Sequence, residues 1–245
     1  MSETMSDDTR KKVLIIAGNP GTSPMTGWPV GFWFAELSHP YWTFVEAGYE
    51  VDIASPAGGD LVPDGMSDPE DESGYSAADL ISLGFKKSPH HAALLKDTKP
   101  VTEIDPGSYD AIFVAGGQSP MVTMIDDEAL QSFVARAFEA GKIISLVCHG
   151  TCLLLKTRLS NGDLLAKGRT WTGFANSEEA FVDETVGQKV QPFWIEDEAK
   201  KIEGTNFIVS GMWQPFAVRD GNLITGQQQN SGTAAAELVV ETLGR

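Results

Sequence analysis

Three short apolar runs constrain the fold of this chain more than any other feature of its sequence. They occupy residues 13–17, 111–115 and 143–147, and a glycine follows each run within three residues. Continuous apolar runs of this length, bounded by turn residues, are typical of strands that are buried on both faces of a parallel sheet. Predicted helices alternate with these strands. We therefore expect an α/β fold in which helices cover both faces of a mostly parallel central sheet.

Weaker patterns predict the other elements. Helices are predicted between His39-Pro40 and residue 47, from Ser88-Pro89 onward, and at residues 126–138, 151–155, 177–181, 192–202 and 231–243. Further strands are predicted at residues 51–55, 169–172, 207–210 and 223–225. The acidic stretch at residues 60–80 contains two prolines and two glycines, so we expect a long surface loop there and no part of the core. No repeat or linker divides the chain, which predicts a flexible tail over residues 1–10 and one domain over residues 11–245.

Composition excludes several classes of protein. The chain has 34 acidic and 18 basic side chains and a net charge of −16, which opposes binding to nucleic acid. No apolar stretch approaches 18 residues, so we expect no membrane span. The charged start of the chain lacks the apolar core of a signal peptide, and two cysteines cannot form a disulfide framework. We therefore expect a cytoplasmic, reducing setting.

The sharpest candidate for chemistry is the turn Cys148-His149-Gly150, which directly follows the third apolar run. A strand that runs straight into a nucleophile and then into a helix is a nucleophile elbow, which exposes that side chain at the edge of the sheet. The helix N-terminus favours a thiolate, which is the attacking form of cysteine. Cys152 is interpreted as a small buried apolar residue. His149 is a candidate base, and the sequence leaves open which carboxylate orients it.

Several segments together resemble the ThiJ/PfpI superfamily, also called the DJ-1 family. The segments are residues 31–37, 51–59, 116–117 and 147–150, with residues 172–179 and 225–230 resembling its larger branch of heat-inducible, chaperone-like proteins with glyoxalase III activity. The likeness covers residues 12–244. It implies a flavodoxin-like three-layer sandwich made of a single ThiJ/PfpI-like domain, of the class I glutamine amidotransferase-like kind, over residues 11–245.

The resemblance also implies roles for individual residues. Glu36 matches a glutamate that donates a hydrogen bond to the nucleophilic thiol, which requires a protonated carboxyl with a raised pKa. A third acid orients His149, and both Glu178 and Glu179 fit by position, with a slight preference for Glu178. The backbone N–H groups of Gly117 and of the residue after the nucleophile are the expected oxyanion donors. Gln118, Gly150 and Trp33 are the other pocket residues expected.

The implied activity is a glutathione-independent glyoxalase that converts methylglyoxal to lactate through a hemithioacetal, without a metal or an organic cofactor. A homodimer is also implied. The four histidines show no spacing for a metal site, and Trp28, Trp33, Trp171 and Trp213 are candidates for an aromatic pocket. The chain departs from the family pattern at Leu146, at Thr151 and at Gln118, which stands where a histidine is usual. These departures leave the substrate open.

Two alternative functions remain at this point. One is another cysteine-dependent hydrolase or hydratase on the same scaffold, such as an isonitrile hydratase or an amidohydrolase. The other is a non-enzymatic stress protein, acting as a redox sensor or a holdase, since an accessible cysteine of low pKa is also easily oxidised.

Overall fold

A seven-stranded sheet forms the centre of the protein in a computed structural model, which describes residues 10–244. The strands are β1 (Lys12–Ile16), β2 (Gly21–Thr22), β3 (Pro29–Val30), β4 (Glu50–Ser55), β5 (Lys99–Pro100), β6 (Ala111–Val114), β7 (Ile143–Val147), β8 (Thr170–Trp171), β9 (Asn206–Phe207), β10 (Ala217–Asp220) and β11 (Leu223–Gly226). The helices are α1 (Phe34–Glu46), α2 (Leu80–Lys87), α3 (Pro89–Ala93), α4 (Glu128–Glu139), α5 (Asn176–Val186), α6 (Ile195–Ala199) and α7 (Gly232–Leu243). Apart from Arg10, the expected tail lies outside the described residues.

The sheet has the order β10-β11-β7-β6-β1-β4-β5, and every neighbouring pair is parallel except β10 and β11. The three apolar runs are its central strands β1, β6 and β7, and their apolar side chains are buried. Burial on both faces explains why these strands are continuously apolar and do not alternate with polar residues. The prediction of an α/β fold with a mostly parallel sheet is confirmed.

Helices cover both faces of the sheet. The crossover from β1 to β4 and the crossover from β6 to β7 run in opposite directions along the sheet. Because such crossovers are right-handed, α1 and α4 lie on opposite faces. Helix α7 packs beside α1. This arrangement is the three-layer, flavodoxin-like sandwich that was expected. Within residues 10–244, no helix is both long enough and apolar enough to span a bilayer.

The structure differs from the local predictions in several places. Helix α1 begins at Phe34, before the expected start, and carries Pro40 in its interior, because burial of the apolar face outweighs the one backbone hydrogen bond that proline removes. Helix α2 was not expected at all. The stretch at residues 60–80 is not only a surface loop, since Leu61, Asp64 and Ser67 are buried.

Candidate active site

The site lies at the carboxyl ends of β1, β6 and β7. The strand order reverses direction between β1 and β6, and the loops that leave these two strands diverge there. In open α/β sheets, this crevice is the usual position of a functional site. The structure brings together here the loops that follow all three of the apolar runs identified in the sequence.

Cys148 is the first residue after β7 and has a left-handed backbone conformation, with φ of 56°. Residues other than glycine rarely adopt this backbone conformation, and its strain of about 1–3 kcal/mol persists only where the surroundings enforce it. The turn of a nucleophile elbow is such a place. Only 3% of Cys148 is exposed, but it lines a cavity that opens to solvent. The thiol is therefore buried and still accessible to a small molecule.

His149 stands between the thiol and a carboxylate. Its Nδ1 lies 3.6 Å from Sγ of Cys148, and its Nε2 lies 3.1 Å from Oε1 of Glu179. When Nε2 carries the proton and donates to Glu179, Nδ1 is left with a free lone pair toward the sulfur. The three side chains therefore form a Cys-His-Glu triad in which the imidazole is oriented as a base toward the thiol.

The preference for Glu178 as the orienting acid is wrong. Successive residues of a helix point about 100° apart, so only one of the two glutamates can face the imidazole. Glu178 points elsewhere: its carboxylate accepts hydrogen bonds from the backbone N–H groups of Ala175 and Trp213 and from Nε2 of Gln227. Trp213 has a left-handed backbone conformation, with φ of 62°. Glu178 thus holds the N-terminus of α5 and the strained loop around Trp213.

Glu36 approaches the thiol from the first turn of α1 and is completely buried. Its Oε2 accepts a hydrogen bond of 2.6 Å from the backbone N–H of Gly116, and its Oε1 has no nitrogen or oxygen partner. A Cβ on Gly116 would lie 2.6 Å from Oε2 of Glu36 and 2.8 Å from Cβ of Cys148. The close approach of acid and nucleophile therefore requires glycine at this position. Burial raises the pKa of Glu36 to about 7.

The thiol and the carboxyl of Glu36 behave as a coupled pair of acids. Burial and the negative charge of Glu36 raise the pKa of Cys148 well above its usual range, whereas the backbone N–H groups of His149 and Gly117 lower it. The turn that begins at Cys148 is thus not sufficient to ionise the thiol, contrary to the expectation from the helix N-terminus. Because two negative charges are costly at this depth, the pair loses only one proton near neutral pH. Its singly ionised state includes a thiolate beside a protonated carboxyl.

The electrostatics of His149 favour a base that can hold a proton. Burial alone would lower the pKa of His149, but the carboxylates of Glu179, Glu36 and Asp64 outweigh burial and raise that pKa. The ring of Phe174 stacks on the imidazole with centroids 4.2 Å apart. This contact fixes the plane of the ring, so both nitrogens keep their partners.

Asp64 is a buried carboxylate that the sequence analysis missed. Its Oδ1 accepts from the backbone N–H of Gly31 at 2.7 Å, and its Oδ2 accepts from that of Gln118 at 2.6 Å. Burial raises the pKa of Asp64 to about 6. It therefore joins the loop before α1 to the loop after β6, which carries Gly117. Its position between Pro63 and Gly65 reads as an ordinary turn, and no signal in the sequence distinguishes it.

Asp64→Asn is expected to lower kcat/KM about tenfold at neutral pH, because an amide group would face a backbone donor and loosen the loop that carries Gly117. Steady-state kinetics, together with the melting temperature, checks this expectation. Glu72→Gln, an exposed change in the same segment, is the matched control and should behave as wild type. Equal kinetics for Asp64→Asn and Glu72→Gln would contradict a positioning role for Asp64.

The remaining predicted residues surround the thiol. Gly117, with φ of 103°, has no room for a side chain, since a Cβ would lie 2.4 Å from the backbone N of Trp33. Gln118 lines the cavity, and its Oε1 accepts a hydrogen bond from Nε2 of Gln191. Gly150 is buried in the turn after the nucleophile, where a Cβ would lie 3.0 Å from the carbonyl oxygen of Ala115. Gln191 was not foreseen.

Two of the four candidate tryptophans, Trp33 and Trp213, line the cavity. Trp171 is fully buried in the core, and Trp28 is half-exposed outside the cavity. Cys152 is buried, and its thiol donates to the carbonyl oxygen of Pro120 at 3.5 Å. Among residues 10–244, no group of three or more His, Cys, Asp or Glu side chains has the arrangement of a metal site.

Comparison with known proteins relates this chain to a family. The model of the DJ-1/PfpI family matches residues 31–242. Glyoxalase 3 of Candida albicans is 27% identical over 238 residues, which cover 94% of this chain and 97% of that protein. The solved structure of glyoxalase III from Candida albicans has a TM-score of 0.78 and 26% identity, over 94% of this chain and 96% of that one. The structure of the Rapid Encystment Protein 24 kDa of Francisella tularensis has a TM-score of 0.85 and 26% identity, and the match covers 96% of this chain and 100% of that one.

Proposed function

The chain belongs to the DJ-1/PfpI family, and we propose that it is a cofactor-independent cysteine enzyme that converts small 2-oxoaldehydes, such as methylglyoxal, to 2-hydroxy acids, such as lactate. The observation that carries this proposal is the alignment of Cys148, His149 and Glu179 beside the buried acid Glu36. The names of the relatives as glyoxalases support it. Each step below uses side chains that this chain supplies.

The first step is addition of the thiolate of Cys148 to the aldehyde carbon. A carbon–sulfur bond forms, the carbonyl electron pair moves to oxygen, and that oxygen takes a proton, which gives a hemithioacetal. The backbone N–H groups of Gly117 and His149 already interact with the sulfur. The same donors are well situated to stabilise the negative charge that develops on oxygen.

The second step moves a proton between two adjacent carbons. Nδ1 of His149, being 3.6 Å from Sγ, lies near the carbon that bonds the sulfur. It removes the proton from that carbon while the neighbouring carbonyl oxygen takes up a proton, which gives an enediol. A proton then returns to the neighbouring carbon and the hydroxyl on the sulfur-bearing carbon loses its proton, which gives the thioester of a 2-hydroxy acid. Glu179 stabilises the imidazolium that forms in between. Water then cleaves the carbon–sulfur bond and restores the thiol.

Glu36 sets the pH at which the thiolate becomes available. In the wild type, the pair of Glu36 and Cys148 loses its first proton near the pKa of about 7 of the carboxyl, so kcat/KM should rise with pH through that value. In Glu36→Gln the first proton must leave the buried thiol itself. The midpoint of the pH profile should therefore move up by about one unit or more.

The control for this prediction is Glu46→Gln, an exposed change on the same helix, which should keep the wild-type profile. Full pH profiles of kcat/KM for the three proteins make the comparison. An unchanged midpoint in Glu36→Gln would show that the carboxyl does not share a proton with the thiol.

The direct test of the proposed function is an assay of the purified protein with methylglyoxal, glyoxal and a panel of amides and isonitriles, with mass spectrometry of Cys148. Lactate formation from methylglyoxal without glutathione would support the glyoxalase. Turnover of an amide or isonitrile alone would favour a hydrolase or hydratase. Oxidation of Cys148 without any turnover would favour a redox-sensing stress protein.

The setting of the enzyme is also part of the proposal. We propose a single domain over residues 11–245, supported by the packing of α7 against α1 near the two ends of the chain. A cytoplasmic location is consistent with two free cysteines. The family resemblance supports a homodimer, which light scattering of the purified protein tests.

A further inference from the structure

The cavity over Cys148 is small and strongly apolar. Its volume is about 140 Å³. The lining residues are Trp33, Met66, Tyr75, Gly117, Gln118, Cys148, His149, Phe174, Phe181, Val182, Thr185, Val186, Trp213 and Gln229. Apart from the reacting thiol of Cys148, His149 is the only one of these side chains that can carry a charge near neutral pH. The wall therefore offers nothing that would bind a carboxylate or phosphate on the substrate, and it favours a neutral, apolar group.

The apolar wall includes a row of aromatic rings that leads from the triad to the solvent. Phe174 stacks on His149, Trp213 meets the ring of Phe174 at 6.0 Å, and Phe181 meets Trp213 at 5.7 Å, the last two contacts being edge-to-face. Phe174 is buried, whereas Phe181 is 47% exposed. The row thus follows the cavity outward from the reacting atoms.

A second aromatic pair lines the cavity as well. The ring of Trp33 meets that of Tyr75 edge-to-face at 5.9 Å, and Tyr75 is 56% exposed. A ring that enters the cavity therefore has aromatic partners in Trp33 and Tyr75 as well as in Phe174, Trp213 and Phe181. Edge-to-face and offset contacts with such partners add to the gain from burying the ring.

The volume fits one aromatic ring. An apolar cavity of about 150 Å³ binds benzene in other proteins. A methyl group beside the dicarbonyl unit would leave most of the apolar wall uncovered, whereas a phenyl group would cover it. We propose that this site prefers 2-oxoaldehydes with an aryl substituent over methylglyoxal, and that Phe181 and Tyr75 determine this preference. The inference rests on the proposed function and names its substrate class.

The chemistry is unchanged for an aryl substrate. Phenylglyoxal presents the same aldehyde carbon to Cys148 and the same neighbouring carbonyl carbon to the proton returned by His149. The product is mandelate in place of lactate, and atoms and electrons balance as they do for methylglyoxal. Only the substituent on the second carbon differs, and this substituent lies toward the aromatic walls.

The test compares kcat/KM for phenylglyoxal and methylglyoxal in the full-length protein. The wild type should favour phenylglyoxal at least about tenfold, because a larger apolar group fills the pocket. Phe181→Ala and Tyr75→Ala should each reduce that ratio at least about fivefold. Both side chains are about half exposed and neither belongs to the buried core, so their truncation leaves the core intact. Leu80→Ala, at a 71% exposed apolar residue outside the cavity, should keep the wild-type ratio.

The possible failures are distinct. If the wild type converts neither aldehyde, the proposed function fails and the inference fails with it. If methylglyoxal is converted as well as or better than phenylglyoxal, the glyoxalase stands and the aryl preference is overturned. If the preference for phenylglyoxal survives in both Phe181→Ala and Tyr75→Ala, these two residues do not determine it, and that part of the proposal is overturned. Stronger competitive inhibition by mandelate than by lactate is expected as an independent readout.

Discussion

Cys148→Ala is expected to reduce kcat/KM for methylglyoxal by about 10⁴-fold or more, because no other group in the site can form the bond to the aldehyde carbon. Loss of a nucleophile removes the whole covalent route, whereas loss of a positioning group slows it. Steady-state assays over a wide range of enzyme concentration are needed to measure the low residual activity. Since Cys148 already borders an open cavity, the loss of its sulfur leaves no new enclosed void, and the melting temperature should stay close to that of the wild type.

Cys152→Ala is the matched control. This thiol is fully buried, its pKa is raised by burial, and it reaches only the carbonyl oxygen of Pro120. The variant should keep kcat/KM within about threefold of the wild type and lose about 1 kcal/mol of stability from the small cavity left behind. Equal loss of activity in the two variants would show that the chemistry does not depend on the thiol at the elbow.

Glu179→Gln is expected to lower kcat/KM about 10³-fold, the second largest effect. The amide can donate a hydrogen bond to Nε2 of His149, which would move the proton to Nδ1 and remove the lone pair that faces the thiol. The amide also carries no charge to stabilise the imidazolium. Measurement of kcat/KM, together with the dependence of kcat on pH, checks whether Glu179 orients His149.

The neighbouring Glu178→Gln should show the opposite pattern. Its carboxylate accepts three hydrogen bonds from Ala175, Trp213 and Gln227, and an amide must give up at least one of them. We expect a loss of about 1 kcal/mol, which for a chain of this size lowers the melting temperature by about 2–4 °C, and activity within about fivefold of the wild type. A larger catalytic defect in Glu178→Gln than in Glu179→Gln would reverse the roles given to the two residues.

The sequence was sufficient to predict the central sheet, because a strand buried on both faces must be apolar throughout. Residues 13–17, 111–115 and 143–147 therefore mark β1, β6 and β7 without any knowledge of their neighbours. The elbow at Cys148 follows from the same logic, since its turn interrupts the last of these runs. Short strands outside the central sheet, such as β8 and β9, carry no such pattern, and their bounds were predicted less well.

The parts of the site that the sequence could not predict depend on the direction in which a side chain points and on contacts between residues that are far apart in the sequence. Choosing between Glu178 and Glu179 requires the rotation of α5 about its axis, which the sequence of a polar helix with few buried residues does not reveal. Asp64 reaches Gly31 and Gln118 across 33 and 54 positions of the chain. Nothing local distinguishes such a residue from an ordinary aspartate in a turn. Its burial is a property of the assembled fold.

Tyr75 and Phe181 line the outer part of the cavity, and their exposed positions have a consequence for how such an enzyme can diversify. Tyr75 lies in a surface segment and Phe181 lies on the exposed side of α5. The proposed nucleophile and its proposed base follow the interior strand β7, and Glu36 lies in the first turn of α1. Substitutions at the rim can therefore retune which aldehydes enter while the reacting groups keep their places. Substrate selectivity and reactivity therefore depend on separate sets of positions, so related enzymes can evolve different substrate preferences while they keep the same reaction.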